Sequence, residues 1–306
     1  IPPYILAYTF TGLFDSYGTL NEIARSMFNL QQSESLFPNI RNIYGAILVF
    51  SFTLYPYVYL ICRTAFLNQS RSMFEIGRTL GLSQKLIFLK LALPVVRPAL
   101  IAGTMIVAME TLSDFGAVDH FAVSTFTTGI FRTWYGMYDL TTAMQLASML
   151  LIFITFCLVI ERTSRRNASF STISSNFKPM PIKKVSSQQS FLFFLVCFVP
   201  IFIGFVLPIL EILNWSLRFN SGFFEKHFFS ISFNTILLSV FSAILCTFIA
   251  MLINFSIRYQ NSSTIKSINP FLNIGYAVPG LILAVGIVQL FVFLDNNILN
   301  SFKGYF

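Results

Sequence analysis

The chain has 306 residues, of which 55% are hydrophobic and only 10% are charged, and its mean hydropathy is +0.72. Soluble domains carry about 25% charged residues, so this composition excludes an ordinary soluble protein and predicts a membrane protein. The net charge of +8 does not indicate nucleic-acid binding, because the basic residues lie mainly in loops on one side of the predicted membrane helices.

Charge-free runs long enough for membrane helices recur along the chain. About 20 residues of α-helix cross ~30 Å of hydrocarbon. Five runs meet this criterion: residues 42–62, 140–160, 191–210, 228–257 and 267–294. Residues 98–109 predict a sixth span, although this short run requires Arg97 or Glu110 to lie near or within the bilayer. The expected fold class is therefore an all-α polytopic membrane helix bundle.

The first residues and a short repeat predict two membrane halves. Residues 1–14 predict the end of a seventh helix, and since the chain lacks an initial Met we expect it to be part of a longer protein. "PPYILA" at 2–7 matches "PGLILA" at 279–284 in spacing. Residues 161–190 are rich in Ser, Lys and Arg, which is typical of a linker. We expect residues 1–160 to be a first half without its N-terminal helices, residues 161–190 to be a cytoplasmic linker, residues 191–306 to be the start of a second half, and the complete chain to be longer than about 500 residues.

Basic residues are divided unevenly between two sets of loops. With successive loops assigned to alternate sides of the membrane, one set holds 14 Lys/Arg and 2 acids, and the other holds 6 Lys/Arg and 10 acids. The basic set is residues 63–97, 161–190 and 256–270, and the acidic set is residues 15–41, 110–139, 211–230 and 295–306. Because cytoplasmic loops are enriched in Lys and Arg, we expect the basic set to be cytoplasmic.

The cytoplasmic segment 74–94, "FEIGRTLGLSQKLIFLKLALP", predicts two short amphipathic helices. Gly81 permits a turn between them, Ser83 is a suitable N-cap for the second, and Pro94 marks the entry to the next span. Such a segment is suited to docking into a groove on a soluble partner. The alternative is an interfacial helix on membrane lipid, with four basic residues contacting headgroup phosphates: Arg71, Arg78, Lys85 and Lys90.

The spacing within this segment resembles the "EAA" loop of inner-membrane permeases of binding-protein-dependent ABC importers. Glu75 is followed by Gly81 six residues later, by Leu91 ten residues after that, and by Leu93-Pro94. The chain departs from the family pattern at the two alanines, which are Ile76 and Gly77 here, and at the later isoleucine, which is Leu91 here. The resemblance implies that eight residues couple the permease to an ATPase: Glu75, Ile76, Gly77, Leu80, Gly81, Leu91, Leu93 and Pro94.

Residues 109–136, "METLSDFGAVDHFAVSTFTTGIFRTWYG", resemble a segment of ferric-iron permeases in which two halves are fused. The family resemblance implies a bacterial inner-membrane subunit with two partners, a cytoplasmic ABC ATPase dimer and an extracytoplasmic substrate-binding protein. It implies ferric iron as the substrate, with polyamine, phosphonate or sulfate-type substrates as alternatives. An ion-driven secondary transporter is a further alternative.

No cofactor, metal site or catalytic activity is predicted for the chain itself. The sequence contains neither a phosphate-binding Gly-rich loop nor a dinucleotide fingerprint, so ATP is expected to bind to the partner subunit. His120 and His227 form no metal-binding motif and are predicted to be structural or solvated. The four cysteines are predicted to be packing residues of the spans: Cys62, Cys157, Cys197 and Cys246.

Two acidic residues near the end of the sixth span are candidates for the translocation path. Glu110 and Asp114 are four residues apart, so they share a face if the helix continues through both. Acids inside a membrane usually face a water-filled cavity or the bundle interior, and oxygen ligands suit hard cations. The alternative is that the helix ends near residues 111–113, that Asp114 caps the next helix, and that Glu110 pairs with a base such as Arg132.

Overall fold

The computed structural model describes residues 1–29, 31, 34–166, 185–218, 226–259 and 280–299. Within these ranges every regular element is a helix, which confirms the predicted all-α fold class. The described residues belong to two compact units. One comprises Ile1–Ile209 with Val278–Phe306, and the other comprises Leu210–Ala277.

Thirteen α-helices occur in the described ranges. They are α1 (Pro3–Phe14), α2 (Thr19–Phe28), α3 (Ile43–Leu67), α4 (Arg71–Thr79), α5 (Gln84–Ile87), α6 (Leu93–Ser113), α7 (Gly116–His120), α8 (Phe126–Phe131), α9 (Leu140–Arg166), α10 (Ser187–Ile201), α11 (Leu207–Arg218), α12 (Lys226–Tyr259) and α13 (Gly280–Leu294). Wider π-helical turns continue four of them: Phe88–Ala92, Arg132–Gly136, Phe202–Val206 and Asp295–Leu299.

Five helical stretches among the described residues are long and apolar enough to cross a membrane. They are Ile43–Leu67, Gln84–Ser113, Leu140–Ile160, Ser187–Arg218 and Phe228–Tyr259. These confirm the predicted spans at 42–62, 140–160, 191–210 and 228–257 and the sixth span around residues 98–109. The helix of the sixth span is longer than its charge-free run, because it contains both Arg97 and Glu110. Arg97 is exposed, consistent with a long basic side chain that reaches the interface.

Two predicted segments lie partly outside the described residues. Of the predicted span 267–294, the structure describes α13 from Gly280 onward, with a shorter apolar stretch at Ile282–Asn297. Of the predicted linker 161–190, residues 167–184 lie outside the described ranges. The helices on either side enter the linker limits, since α9 runs to Arg166 and α10 begins at Ser187.

The main hydrophobic core of the first unit forms where α1 packs against α3 and α7. Leu6, Phe10, Val49 and Phe121 are almost fully buried there. Helices α3 and α6 approach each other closely, because a Cβ at Gly103 would lie 2.9 Å from the Cα of Val58. The spans α3 and α6, which flank the cytoplasmic segment, are therefore packed neighbours.

Candidate functional site

Residues Arg71–Ala92 form a helical hairpin between the spans α3 and α6. It consists of α4, a turn at residues 80–83, α5 and the π-helical turn that leads directly into α6. Gly81 has a φ of +73°, a backbone conformation that glycine adopts without steric cost. Ser83 caps α5 by accepting a hydrogen bond from the Leu86 N–H at 3.4 Å. The predicted break at Gly81 and the predicted N-cap at Ser83 are both confirmed.

Gly77 lies at a point where the two arms of the hairpin approach each other closely. Gly77 is buried, and a Cβ added to it would lie 2.9 Å from both Ile87 Cγ1 and Leu91 Cδ1. These two distances are shorter than a normal carbon–carbon contact of about 3.5–4.0 Å. Gly77 and Leu91, two residues at which the chain departs from the family pattern, therefore lie next to each other. The methyl group that an alanine would have at position 77 is absent, and this leaves room for the Leu91 side chain.

The outer surface of the hairpin is apolar and basic. The side chains of Ile76 and Leu80 are 59% and 71% exposed, and those of Phe88 and Leu89 are about half exposed. Glu75 pairs with Arg71 one turn earlier in α4, with 2.6 Å between Arg71 Nε and Glu75 Oε1. Because both charges are solvent-exposed, this ion pair stabilises the helix by less than about 1 kcal/mol. Chemically, the surface offers apolar contacts at the tip and basic groups beside them.

The two candidate path residues occupy different kinds of position. Glu110 lies within the last turn of α6 and is half-buried, whereas Asp114 follows the end of that helix with an extended backbone. Asp114 Oδ1 accepts hydrogen bonds from the N–H groups of Ala117 at 2.9 Å and Val118 at 3.2 Å, and so caps α7. The helix end near Ser113 and the cap at Asp114, which were the alternative interpretation, are what the structure shows. A path-lining role for either acid stays a prediction.

The electrostatic surroundings of Asp114 and Arg132 follow from this packing. Burial raises the pKa of Asp114 above its ordinary value, the two backbone hydrogen bonds oppose that shift, and the neighbouring Glu110 adds to it. Thr127 Oγ1 donates to the carbonyl oxygen of Asp114 at 2.7 Å and fixes the loop further. Arg132 was the base suggested as a partner for Glu110, but it pairs with Asp119, with 3.4 Å between Arg132 Nη2 and Asp119 Oδ1.

His120 has a structural role at the same side of the molecule. Its Nε2 atom lies 2.7 Å from Thr11 Oγ1, so a hydrogen bond joins α7 to α1. Burial lowers the pKa of His120, the nearby Arg41 lowers it further, and Asp119 opposes the shift. The prediction of a structural or solvated histidine is confirmed for His120, while the side chain of His227 lies outside the described residues.

The first half of the sequence matches a known protein family. The sequence model of the family described as "binding-protein-dependent transport system inner membrane component" matches residues 1–166, which include the hairpin and both candidate acids. The chain belongs to this family. It is a multi-pass inner-membrane permease component of the binding-protein-dependent transport type.

Two curated relatives of the permease come from Haemophilus influenzae. One is an Fe(3+)-transport system permease protein, 27% identical over 85% of this chain and 52% of the relative. The other is described as a ferric transport system permease protein, 23% identical over 95% of this chain and 48% of the relative. The permease chain thus spans about half the length of the curated relatives it matches. No solved structure matches the chain.

Sequence reasoning missed two features of the permease hairpin. One is Gln69, which lies between α3 and α4, is 4% exposed, and donates from Nε2 to the carbonyl oxygen of Ala92 at 2.8 Å. The other is the π-helical turn at Phe88–Ala92. A sequence signal for the turn exists, because "FLKLALP" at 88–94 and "FIGFVLP" at 202–208 both place a π-helical turn immediately before Leu-Pro. Gln69 has no such local signal.

Proposed function

We propose that the permease is the membrane subunit of an ATP-driven importer, in which the hairpin Arg71–Ala92 docks onto a cytoplasmic ABC ATPase dimer. The chain itself catalyses no reaction and holds no cofactor, since ATP binds to the partner. An extracytoplasmic binding protein delivers the substrate to the opposite side. Closure of the ATPase dimer moves the hairpin, and the attached spans α3 and α6 then change which side of the membrane the path opens to.

The observation that carries this proposal is that the hairpin has an exposed apolar tip and a second arm continuous with a membrane helix. Its tip presents Ile76 and Leu80 to solvent, and apolar side chains on a helix face suit a hydrophobic groove on a partner. At its base the second arm continues into the span α6 without interruption, as one helical stretch from Gln84 to Ser113. The tip is therefore connected to a membrane helix through the helical backbone of the second arm.

We propose ferric iron as the substrate, on the basis of the two relatives named as ferric transport permeases. The acidic side chains Glu110 and Asp114, placed near the end of the span α6 opposite the hairpin, are compatible with a cationic substrate because carboxylate oxygens bind hard cations. A strongly anionic substrate such as sulfate or a phosphonate fits these charges less well. Polyamines are the cationic alternative.

The docking proposal is tested by association and ATP hydrolysis with the full-length protein and its partner ATPase in proteoliposomes. Leu80→Asp places a charge at the apolar tip, and we expect it to abolish association with the ATPase. Met27→Asp is the matched control, because Met27 is 73% exposed but lies in α2, within the segment 15–41 that is assigned to the opposite side of the membrane. Normal association of the Leu80 variant, or equal loss in both variants, would contradict docking through the hairpin.

The substrate is tested in the same proteoliposomes by adding binding protein loaded with ferric iron, a polyamine, a phosphonate or sulfate. Stimulation of ATP hydrolysis by the iron-loaded form alone supports both the importer and its substrate. Stimulation by another loaded form keeps the importer and rejects iron. Absence of any association with an ATPase rejects the importer and favours an ion-driven transporter.

A path role for the acids is tested with Glu110→Gln combined with Asp114→Asn, which removes both charges and keeps an oxygen to cap α7. We expect slower iron transport with unchanged association to the ATPase. Glu22→Gln is the matched control, because Glu22 is an exposed acid in α2. Transport at the unmodified rate in the double variant would show that the two carboxylates do not line the path.

A further inference from the structure

The hairpin is joined to the membrane at two points, and one side chain connects them. The first junction is the step from α3 to α4, and Gln69 lies in it. The second is the step from the π-helical turn to α6, and Ala92 lies in it. The hydrogen bond of 2.8 Å from Gln69 Nε2 to Ala92 O spans 23 residues of sequence. Both partners are almost fully buried, Gln69 at 4% and Ala92 at 1% exposure.

The other half of the Gln69 amide is left unpaired. Among the described residues, Gln69 Oε1 is a buried side-chain oxygen without a hydrogen-bond partner. A buried polar atom without a partner destabilises a protein, and an apolar side chain of similar shape would avoid that cost. The presence of an amide here is therefore explained by its donor group, which holds the carbonyl of Ala92.

An aromatic contact crosses the same two junctions. The rings of Phe66, near the end of α3, and Phe88, at the start of the π-helical turn, are stacked with centroids 6.1 Å apart and planes 12° apart. Gln69 is oriented locally by its own backbone N–H, which donates to the Phe66 carbonyl. The hydrogen bond and the stacked rings together close the base of the hairpin, so that α3 and α6 hold it from both sides.

We infer that Gln69 is a positioning residue for transport, whose hydrogen bond to Ala92 makes the hairpin and the two flanking spans move together. This inference rests on the proposed function. The π-helical turn at the base of the hairpin is wider and less regular than an α-helical turn. Without the bond, movement of the tip is absorbed in this turn. ATP hydrolysis then continues while less substrate is moved for each ATP consumed.

The test compares Gln69→Met with Gln69→Leu and with the unmodified full-length protein, each reconstituted with its ATPase and binding protein. Both substitutions keep a side chain of similar volume and remove the donor. We expect normal association, normal stimulated ATP hydrolysis, and a ratio of transport to hydrolysis lowered by about fivefold, the factor equivalent to the net strength of one hydrogen bond. Gln189→Met is the matched control, because Gln189 is an exposed side chain of α10.

The ratio of transport to hydrolysis separates coupling from a merely structural role. If transport and hydrolysis fall in proportion in both variants, or if neither variant assembles, Gln69 only maintains the fold and the inference is wrong. An unchanged ratio in well-assembled variants also refutes it. If the unmodified protein shows no ATP hydrolysis stimulated by binding protein, the proposed function itself fails, which is a separate result from the comparison of variants.

Discussion

Substituting Gly77 by alanine tests whether the two arms of the hairpin are packed as closely as the structure shows. The added methyl group would lie 2.9 Å from Ile87 Cγ1 and 2.9 Å from Leu91 Cδ1. Leu91 Cδ1 is the end of a flexible side chain and can rotate away. Ile87 is 2% exposed and is β-branched, so in a helix it has one strongly preferred χ1 rotamer, and moving its Cγ1 atom away costs energy.

Two opposing effects set the magnitude. Overpacking a close contact costs roughly 1–3 kcal/mol, whereas replacing glycine by alanine inside a helix stabilises it by about 1 kcal/mol. We therefore expect Gly77→Ala to lower the free energy of unfolding by about 0–2 kcal/mol, the difference between these two effects. Combining it with Ile87→Ala should recover stability relative to the sum of the single changes, because the new methyl group fills part of the cavity left by the isoleucine.

The measurement is chemical unfolding of the full-length permease in detergent for the two single variants, the double variant and the unmodified protein. Gly129→Ala is the matched control, because Gly129 lies in α8 and a Cβ there meets nothing within 4 Å. That control should show the gain in helix stability without the clash. If Gly77→Ala stabilises the protein as much as Gly129→Ala does, and shows no coupling to position 87, the close contact between the arms is refuted.

Three further predictions concern backbone conformation and titration. Gly81→Ala should destabilise the hairpin by about 1–2 kcal/mol, because alanine is strained at positive φ, and Gly81→Asn should be milder; unfolding of both variants in detergent checks this. Burial raises the pKa of Asp114, so its carboxyl favours the folded state only at low pH, and that contribution is lost as the pH rises through the raised pKa. Asp114→Asn should therefore be more stable than the unmodified protein at neutral pH, and the difference should vanish on acidification. The pKa of His120 is lowered, so the neutral imidazole stabilises the folded protein above its ordinary pKa of about 6.5. This stabilisation should be lost as the pH drops through the lowered pKa. Thermal unfolding measured against pH should show the loss in the unmodified protein and not in His120→Gln.

The membrane fold was predictable because hydrophobicity over about 20 residues is a local property of sequence. The break at Gly81 and the cap at Ser83 were predictable for the same reason, since each depends on one residue and its immediate neighbours. The charge-free run 98–109 was too short to cross a membrane by itself, so the sequence required the sixth span to include Arg97 or Glu110, and the helix continues through both. A charge near a membrane interface ends a hydrophobic run without ending a helix.

The contacts that stiffen the hairpin were not predictable, because they join residues distant in sequence. Nothing in the neighbourhood of Gln69 indicates that its amide meets Ala92, and Phe66 is an ordinary apolar residue until Phe88 is placed against it. The close contact of Gly77 with Ile87 and Leu91 likewise depends on how the two arms fold together. These contacts therefore depend on tertiary packing and not on local sequence.

The position of the π-helical turn explains why the base of the hairpin needs such contacts. Pro94 has no N–H to donate, and in an α-helix its ring would clash with the carbonyl of Lys90. The turn Phe88–Ala92 contains one residue more than an α-helical turn, so the Leu93 N–H donates to the carbonyl oxygen of Phe88, five residues earlier. This wider turn relieves the clash and weakens the helix at one point.

The stretch Gln84–Ser113 has 30 residues, about 45 Å of helix, so roughly 15 Å extends beyond a hydrocarbon layer of ~30 Å. The weak turn lies in the part that projects toward the hairpin tip. A projecting helix with a weak turn bends when pushed, and a closed base prevents that. The hydrogen bond from Gln69 and the stacked rings of Phe66 and Phe88 lie at that turn. In the proposed importer, movement of the hairpin then reaches α6 through a proline-containing helix.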